Sequence, residues 1–187
     1  MSFTGFSWAT SRNDAYFRSN AQALAYFITF SCYGSRLHGD ARGSIDRDHS
    51  GYGTPFLPAS GIRSGSERER MQQSDYRLDP VRRELVLKGI QEACRRRNWT
   101  LLAVHVRTQH VHCVVTSADE PEHVMTALKA YASRFLNGSG LEPQGLRRWS
   151  RHGSTVYLWT PAQVDNAIRY VIHEQGEPMV VFRPGCL

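Results

Sequence analysis

Apolar and polar positions alternate along this chain with two different periods, and each period predicts a set of elements. Residues 25–33, Ala-Tyr-Phe-Ile-Thr-Phe-Ser-Cys-Tyr, are rich in aromatic and β-branched side chains and stop at Gly34, which predicts a strand. Two β-branched runs, 99–106 and 110–116, are joined at Arg107-Thr108-Gln109, the pattern of a hairpin. Residues 154–159 predict a fourth strand. The helical period appears between these runs. Asp79-Pro80 opens a helix, with Asp as cap and Pro at the first position; Val81, Leu85 and Ala93 lie on its apolar face. Arg95, Arg96 and Arg97 close its last turn, where cations suit the helix dipole. A second helix over about 120–137 carries a stripe of Val124, Leu128, Tyr131 and Phe135 and stops at Gly138. Thr160-Pro-Ala-Gln163 is a capping box that starts a third helix ending near Gly176.

The order is strand, helix, strand, strand, helix, strand, then an added helix. That predicts an α+β chain with a ferredoxin-like antiparallel sheet (β-α-β-β-α-β), helices on one face and a further C-terminal helix. The 187 residues suit one domain over 25–182, with an N-terminal extension (1–24), a long loop insertion at about 34–77 and a short tail (183–187). The loop is rich in Gly, Ser, Arg and Asp and contains Pro55 and Pro58. Loops of that length in a compact domain are commonly functional or disordered.

Charge narrows the partners. The net charge is +6 and the pI about 9.4, and all but Lys88 and Lys129 of the 23 basic residues are arginine. Arginine's planar fork matches phosphate and stacks on bases, which points to nucleic acid, although a GC-rich genome also writes its basic residues as Arg. Candidate DNA-facing groups are Arg95, Arg96 and Arg97, and Arg147, Arg148 and Arg151; a merely solvated face explains either cluster as well. No run approaches the ~20 apolar residues of a membrane span, and no secretory leader is visible. Cys32, Cys94, Cys113 and Cys186 form no C-x-x-C pair, which argues against a zinc ribbon or disulfide framework and suits a reducing cytoplasm.

Two features carry candidate chemistry. His110-Val111-His112 lies within a predicted strand, so both imidazoles project from one face and can fill two positions of a divalent-metal site. An H-x-H alone is weak evidence, since two surface histidines on a half-exposed strand look the same. His105, on the paired strand, is a candidate supporting group. Tyr170 falls roughly 120° from the centre of its helix's apolar stripe of Val164, Ile168 and Val171, beside Asn166 and Glu174. Tyr131 instead sits within an apolar stripe and is most simply a core residue.

The segments YFITFSCYGSRLHGD, GSIDRDHSGYGTPFLP, VRTQHVHCVV, ALKAYASRFLN, RHGSTVYLWT and AIRYVIHEQGEP together resemble the HUH single-tyrosine transposases. Within that IS200-like superfamily the chain is most similar to REP-associated tyrosine transposases, from about residue 26 to 178. The resemblance implies metal-dependent cleavage and rejoining of single-stranded DNA, at hairpins, through a 5′-phosphotyrosine. His110 and His112 match the metal-binding pair, Mg²⁺ or Mn²⁺ the ion, and Tyr170 the nucleophile. The family often carries an amide four residues after the tyrosine; here that position is Glu174 and the amide is Gln175, so both stay candidate third ligands. The resemblance further implies a homodimer, single-stranded or hairpin DNA as partner, and no nucleotide cofactor.

Two rival readings remain on the residues. A histidine-triad hydrolase needs a third alternating histidine, and Val114 stands there instead. A non-catalytic ferredoxin-like binder of single-stranded nucleic acid would use Tyr26, Phe27 and Phe30 for stacking, though core packing explains them equally. Such a binder has no need of both a histidine pair and an off-stripe tyrosine. A host-adapted relative that keeps the chemistry without moving itself has the same residues as a mobile one.

Overall fold

The computed structural model describes residues 22–35, 71, 73–143 and 145–185. Most of the expected N-terminal extension and of the 34–77 insertion lies outside these, as does the segment GSIDRDHSGYGTPFLP. The elements are β1 (Ala25–Cys32), α1 (Pro80–Arg97), β2 (Thr100–Val106), β3 (His110–Thr116), α2 (Pro121–Gly138), β4 (Trp149–Leu158), α3 (Pro161–His173) and β5 (Val180–Phe182). They form one antiparallel sheet in the order β4-β1-β3-β2-β5. Its first four strands are the ferredoxin-like arrangement, and the fold is α+β.

The helix boundaries follow their caps. Asp79 Oδ1 accepts the Arg82 backbone N–H at 2.8 Å, and Asn98, in the left-handed region at φ 55°, ends α1. Thr160 and Gln163 form the reciprocal capping box at the start of α3. Strand alternation then splits the apolar residues into two clusters. Tyr26, Ile28 and Phe30 of β1 and Val111, Cys113 and Val115 of β3 face α1 and α2 in the larger core. Ala25, Ala103, Val114 and Leu158 face the other way, against Ala167 and Val171 of α3. Each apolar side chain of Val or Leu size fully buried in these layers stabilises the fold by about 1.5–3 kcal/mol. The tyrosine helix therefore covers the sheet face opposite α1 and α2.

Five local features differ from expectation. β5 is a three-residue strand, too short to show a period, and it pairs with β2 at Val104↔Phe182 and Val106↔Val180. β4 begins at Trp149, earlier than expected, because backbone pairing with β1 extends through polar edge residues. α3 ends at His173 rather than near Gly176. Val81 is 58% exposed, and the buried line of α1 runs through Val86, Gly89, Ile90, Ala93 and Cys94. On α2 the buried line is Val124, Leu128, Ala132 and Leu136, with Tyr131 and Phe135 at its half-buried margin. Here α1 crosses so closely that a Cβ at Gly89 would lie 2.7 Å from the Ala132 Cα.

Candidate active site

His110 and His112 lie on the α3-side face of β3, and their rings are 4.8 Å apart at 74°. The antiparallel register sets Thr29 directly opposite His112, and Thr29 Oγ1 lies 2.8 Å from His112 Nδ1. Phe27 stacks on the same imidazole at 5.8 Å and 18°. A hydrogen-bonded and stacked ring is held in orientation, and its Nε2 is the nitrogen on the side away from Thr29.

Tyr170 meets this cluster from α3. Its ring is edge-on to His112 at 6.1 Å and to Phe27 at 5.8 Å. Ala167 and Val171 fix the buried side of the helix, which turns Tyr170 toward the strand face carrying the histidines. Tyr131 is on the opposite side of the sheet, beneath Arg134, whose guanidinium lies 4.8 Å from the ring centre.

The two candidate third ligands differ. Glu174 follows the end of α3 with φ −107° and ψ 15°, and its carboxylate accepts from Arg169 Nε at 3.3 Å. Gln175 is half-buried, and its Nε2 donates to the Tyr170 carbonyl at 3.3 Å. Among the described residues no group of three or more His, Cys, Asp or Glu side chains gathers in metal-holding geometry. The adjacent imidazoles fit two positions of a divalent site.

His105 is fully buried beside this site and opposite His112 in the β2–β3 register. Its Nε2 accepts the Met179 N–H at 3.1 Å, and its Nδ1 lies 3.0 Å from the Val171 carbonyl. An amide N–H only donates, so the ring is the neutral form with its proton on Nδ1, donated to Val171. Burial pushes its pKa down, the Val171 bond opposes this, and the Arg107 charge adds to the depression. His105 thus ties the last turn of α3 and the entry to β5 onto the sheet. Burial pushes the thiols of Cys32 and Cys94 up to about 12 and also raises that of Cys113, so none of the three is a nucleophile at neutral pH.

The candidate arginines fall in different places. Arg95 and Arg96 both bond Glu92, whose carboxyl they hold down to about 2, and Arg97 lies over Trp99. This cluster leads into Thr100, which pairs with Thr116 at the end of the sheet remote from His110. Arg147 and Arg151 are exposed at the start of β4, where Trp149 pairs with Cys32, close to the Ser31↔His110 pair. Arg148 is only 5% exposed and bonds Glu142 at 3.3 Å and Asn137 at 2.7 Å. Its guanidinium is turned inward because the buried Glu142 carboxylate needs a cation. No helix among the described residues is long and apolar enough to cross a membrane.

The histidine pair and the tyrosine helix thus share one face of the five-stranded sheet. The family model "Transposase IS200 like" matches residues 72–171, more than half of the chain and a stretch containing His110, His112 and Tyr170. The chain belongs to the IS200-like transposase family. Among solved structures it is similar to a REP-associated tyrosine transposase bound to a REP hairpin (14% identity, TM-score 0.48), over 84% of this chain and 69% of that one. It is also similar to a candidate transposase from Deinococcus radiodurans R1 (13% identity, TM-score 0.42), over 81% of this chain and 93% of that one. No curated protein matches the chain.

Proposed function

We propose that this transposase-family chain cuts and rejoins single-stranded DNA, at hairpins, with Tyr170 as nucleophile. The observation that carries the proposal is the shared sheet face: Tyr170 stands edge-on to His112, itself beside His110. The Tyr170 phenolic oxygen, after losing its proton, bonds the scissile phosphorus while the bond from phosphorus to the 3′ oxygen breaks. The departing oxygen takes a proton and becomes a free 3′-OH, leaving a 5′-phosphotyrosine. Attack by another 3′-OH reverses these bond changes and rejoins the strand, so no nucleotide cofactor is consumed.

His110 and His112 would hold Mg²⁺ or Mn²⁺, which when bound supplies charge neutralisation for the phosphate under attack. Gln175 is the better supported third donor. Its amide nitrogen already bonds the Tyr170 carbonyl, leaving Oε1 as the donor type a hard cation takes, whereas Glu174 is engaged with Arg169. Thr29 and Phe27 orient His112. Arg147 and Arg151, at the His110 end of the sheet, would guide the strand; Arg95, Arg96 and Arg97 would extend the footprint, and Arg148 serves the fold.

Denaturing-gel and mass-spectrometric analysis of a single-stranded hairpin incubated with Mn²⁺ tests the reading. Wild type is expected to give a phosphotyrosyl peptide containing Tyr170, and Tyr170→Phe or the double variant His110→Ala/His112→Ala none. An adduct on Tyr131, or cleavage by Tyr170→Phe, defeats it; binding without any adduct leaves the non-catalytic binder. Because Tyr170 reaches its own chain's His112, a homodimer would carry two sites each built from one chain. Light scattering of the full chain at micromolar concentration is expected to give twice the 21.2 kDa monomer mass.

A further inference from the structure

We propose that the cleft beside His110 is a subsite for one backbone phosphate of the bound DNA strand, next to the phosphate under attack, with Arg107 as its cation. This rests on the reading of the chain as one that handles single-stranded DNA. The cleft, of about 150 Å³, is lined by Ser31, Ser35, Arg107, Thr108, Gln109, His110 and Met179. Ser31 and His110 are register partners, so the cleft opens at the end of the sheet where the histidine pair begins.

Charge selects the ligand. Arg107 donates to the Glu177 carbonyl at 3.2 Å, an uncharged acceptor that holds the guanidinium without neutralising it. Among the described residues Arg107 forms no ion pair, as Arg83, Arg97, Arg134, Arg147, Arg151 and Arg183 form none, and of these it is the one that lines the cleft. Asp75, which bonds the Gln109 amide of the cleft wall at 3.2 Å, is also bonded by Arg77 at 2.8 Å. The Arg107 charge is felt at His105, whose pKa it helps to depress. Thr108 spends its hydroxyl on the Met179 sulfur at 3.6 Å, a weak acceptor that a phosphate oxygen readily displaces. A half-buried cation beside the Ser31 and Thr108 hydroxyls suits an anion. Apart from His110 the walls carry no aromatic ring on which a nucleobase would stack, and Arg107's unneutralised charge suits the phosphodiester.

Fluorescence anisotropy with a labelled dT12 strand over a range of salt concentrations tests this without requiring the natural target. Arg107→Ala is expected to weaken binding several-fold and to flatten the slope of log affinity against log salt by about 0.7, the loss of one phosphate contact on a single strand. Arg107→Lys is expected to keep the slope, and Arg134→Ala, on the opposite side of the sheet, to leave it unchanged. Arg107→Gln, whose amide can still donate toward Glu177, separates lost charge from lost support and is expected to behave like Arg107→Ala. A wild-type slope in both neutral variants, with wild type still forming its Tyr170 adduct, overturns the subsite. Flattened slopes without any adduct in wild type leave the subsite standing and defeat the tyrosine reading instead.

Discussion

His105 shows how much of this site rests on a side chain that does no chemistry. It is neutral and buried, with both ring nitrogens committed to backbone groups of the α3 end and of the approach to β5. Its pKa lies below the ordinary histidine value, so below about pH 6.5 the unfolded chain binds a proton that the folded chain refuses. Its contribution to stability is therefore complete at neutral pH and is lost as pH falls from about 6.5 toward the depressed folded value. Urea unfolding at pH 7 and pH 5 is expected to show lower stability at pH 5. His105→Leu should cost about 1–3 kcal/mol at pH 7, from the orphaned Val171 carbonyl and Met179 N–H, and should shrink the difference between the two pH values. An undiminished pH dependence in that variant removes His105 as its source. Strand alternation makes the His110/His112 face legible from sequence. The bonds of His105 are not, because they go to the backbone of residues 66 and 74 positions away.

At the scale of elements, the helix caps and the hairpin were legible because each depends on a few neighbouring residues. Asp79, Thr160 with Gln163, and the β2–β3 turn are local chemistry. Contacts between elements were not. Nothing in the local pattern marks Gly89 as the point where α1 meets α2, since a glycine within a helix otherwise reads only as a weak position. In the fold, a Cβ there would lie 2.7 Å from the Ala132 Cα and 2.9 Å from the Tyr131 carbonyl oxygen, backbone atoms that cannot swing aside. Gly89→Ala gains up to about 1 kcal/mol of helix propensity, while overpacking costs about 1–3 kcal/mol. The net expectation is a loss. At roughly 2–4 °C per kcal/mol for a chain of this size, thermal unfolding should show a Tm lower by a few degrees. A raised Tm means that the helices separate without cost. β5 was missed for the same reason: three residues become a strand only because the β2 edge pairs with them.

For the whole molecule, the sheet separates two jobs. The face toward α1 and α2 is core, and the face toward α3 carries the histidines and Tyr170. The arginines follow the long axis of the sheet rather than its faces. Arg147 and Arg151 stand at the His110 end, whereas Arg95, Arg96 and Arg97 stand beyond the start of β2 at the other. The far cluster also has a local reason to exist, since cations suit the C-terminus of α1 and Glu92 partners two of them. DNA length decides whether it serves the nucleic acid as well. β2 has seven residues, and at about 3.3 Å each the two ends of the sheet are roughly 23 Å apart. A duplex stem rises about 3.4 Å per base pair, so a stem of roughly seven pairs is needed to reach from one end to the other. The triple variant Arg95→Ala/Arg96→Ala/Arg97→Ala is therefore expected to bind a hairpin with a four-pair stem like wild type, and one with a twelve-pair stem several-fold more weakly. Arg147→Ala/Arg151→Ala should weaken both, because the proposed reaction puts the cut strand at the histidine end. Anisotropy with the two hairpins at fixed salt reads the difference. Equal affinities of wild type and the triple variant for both stems would take the far cluster out of the DNA footprint and leave it to the helix dipole alone.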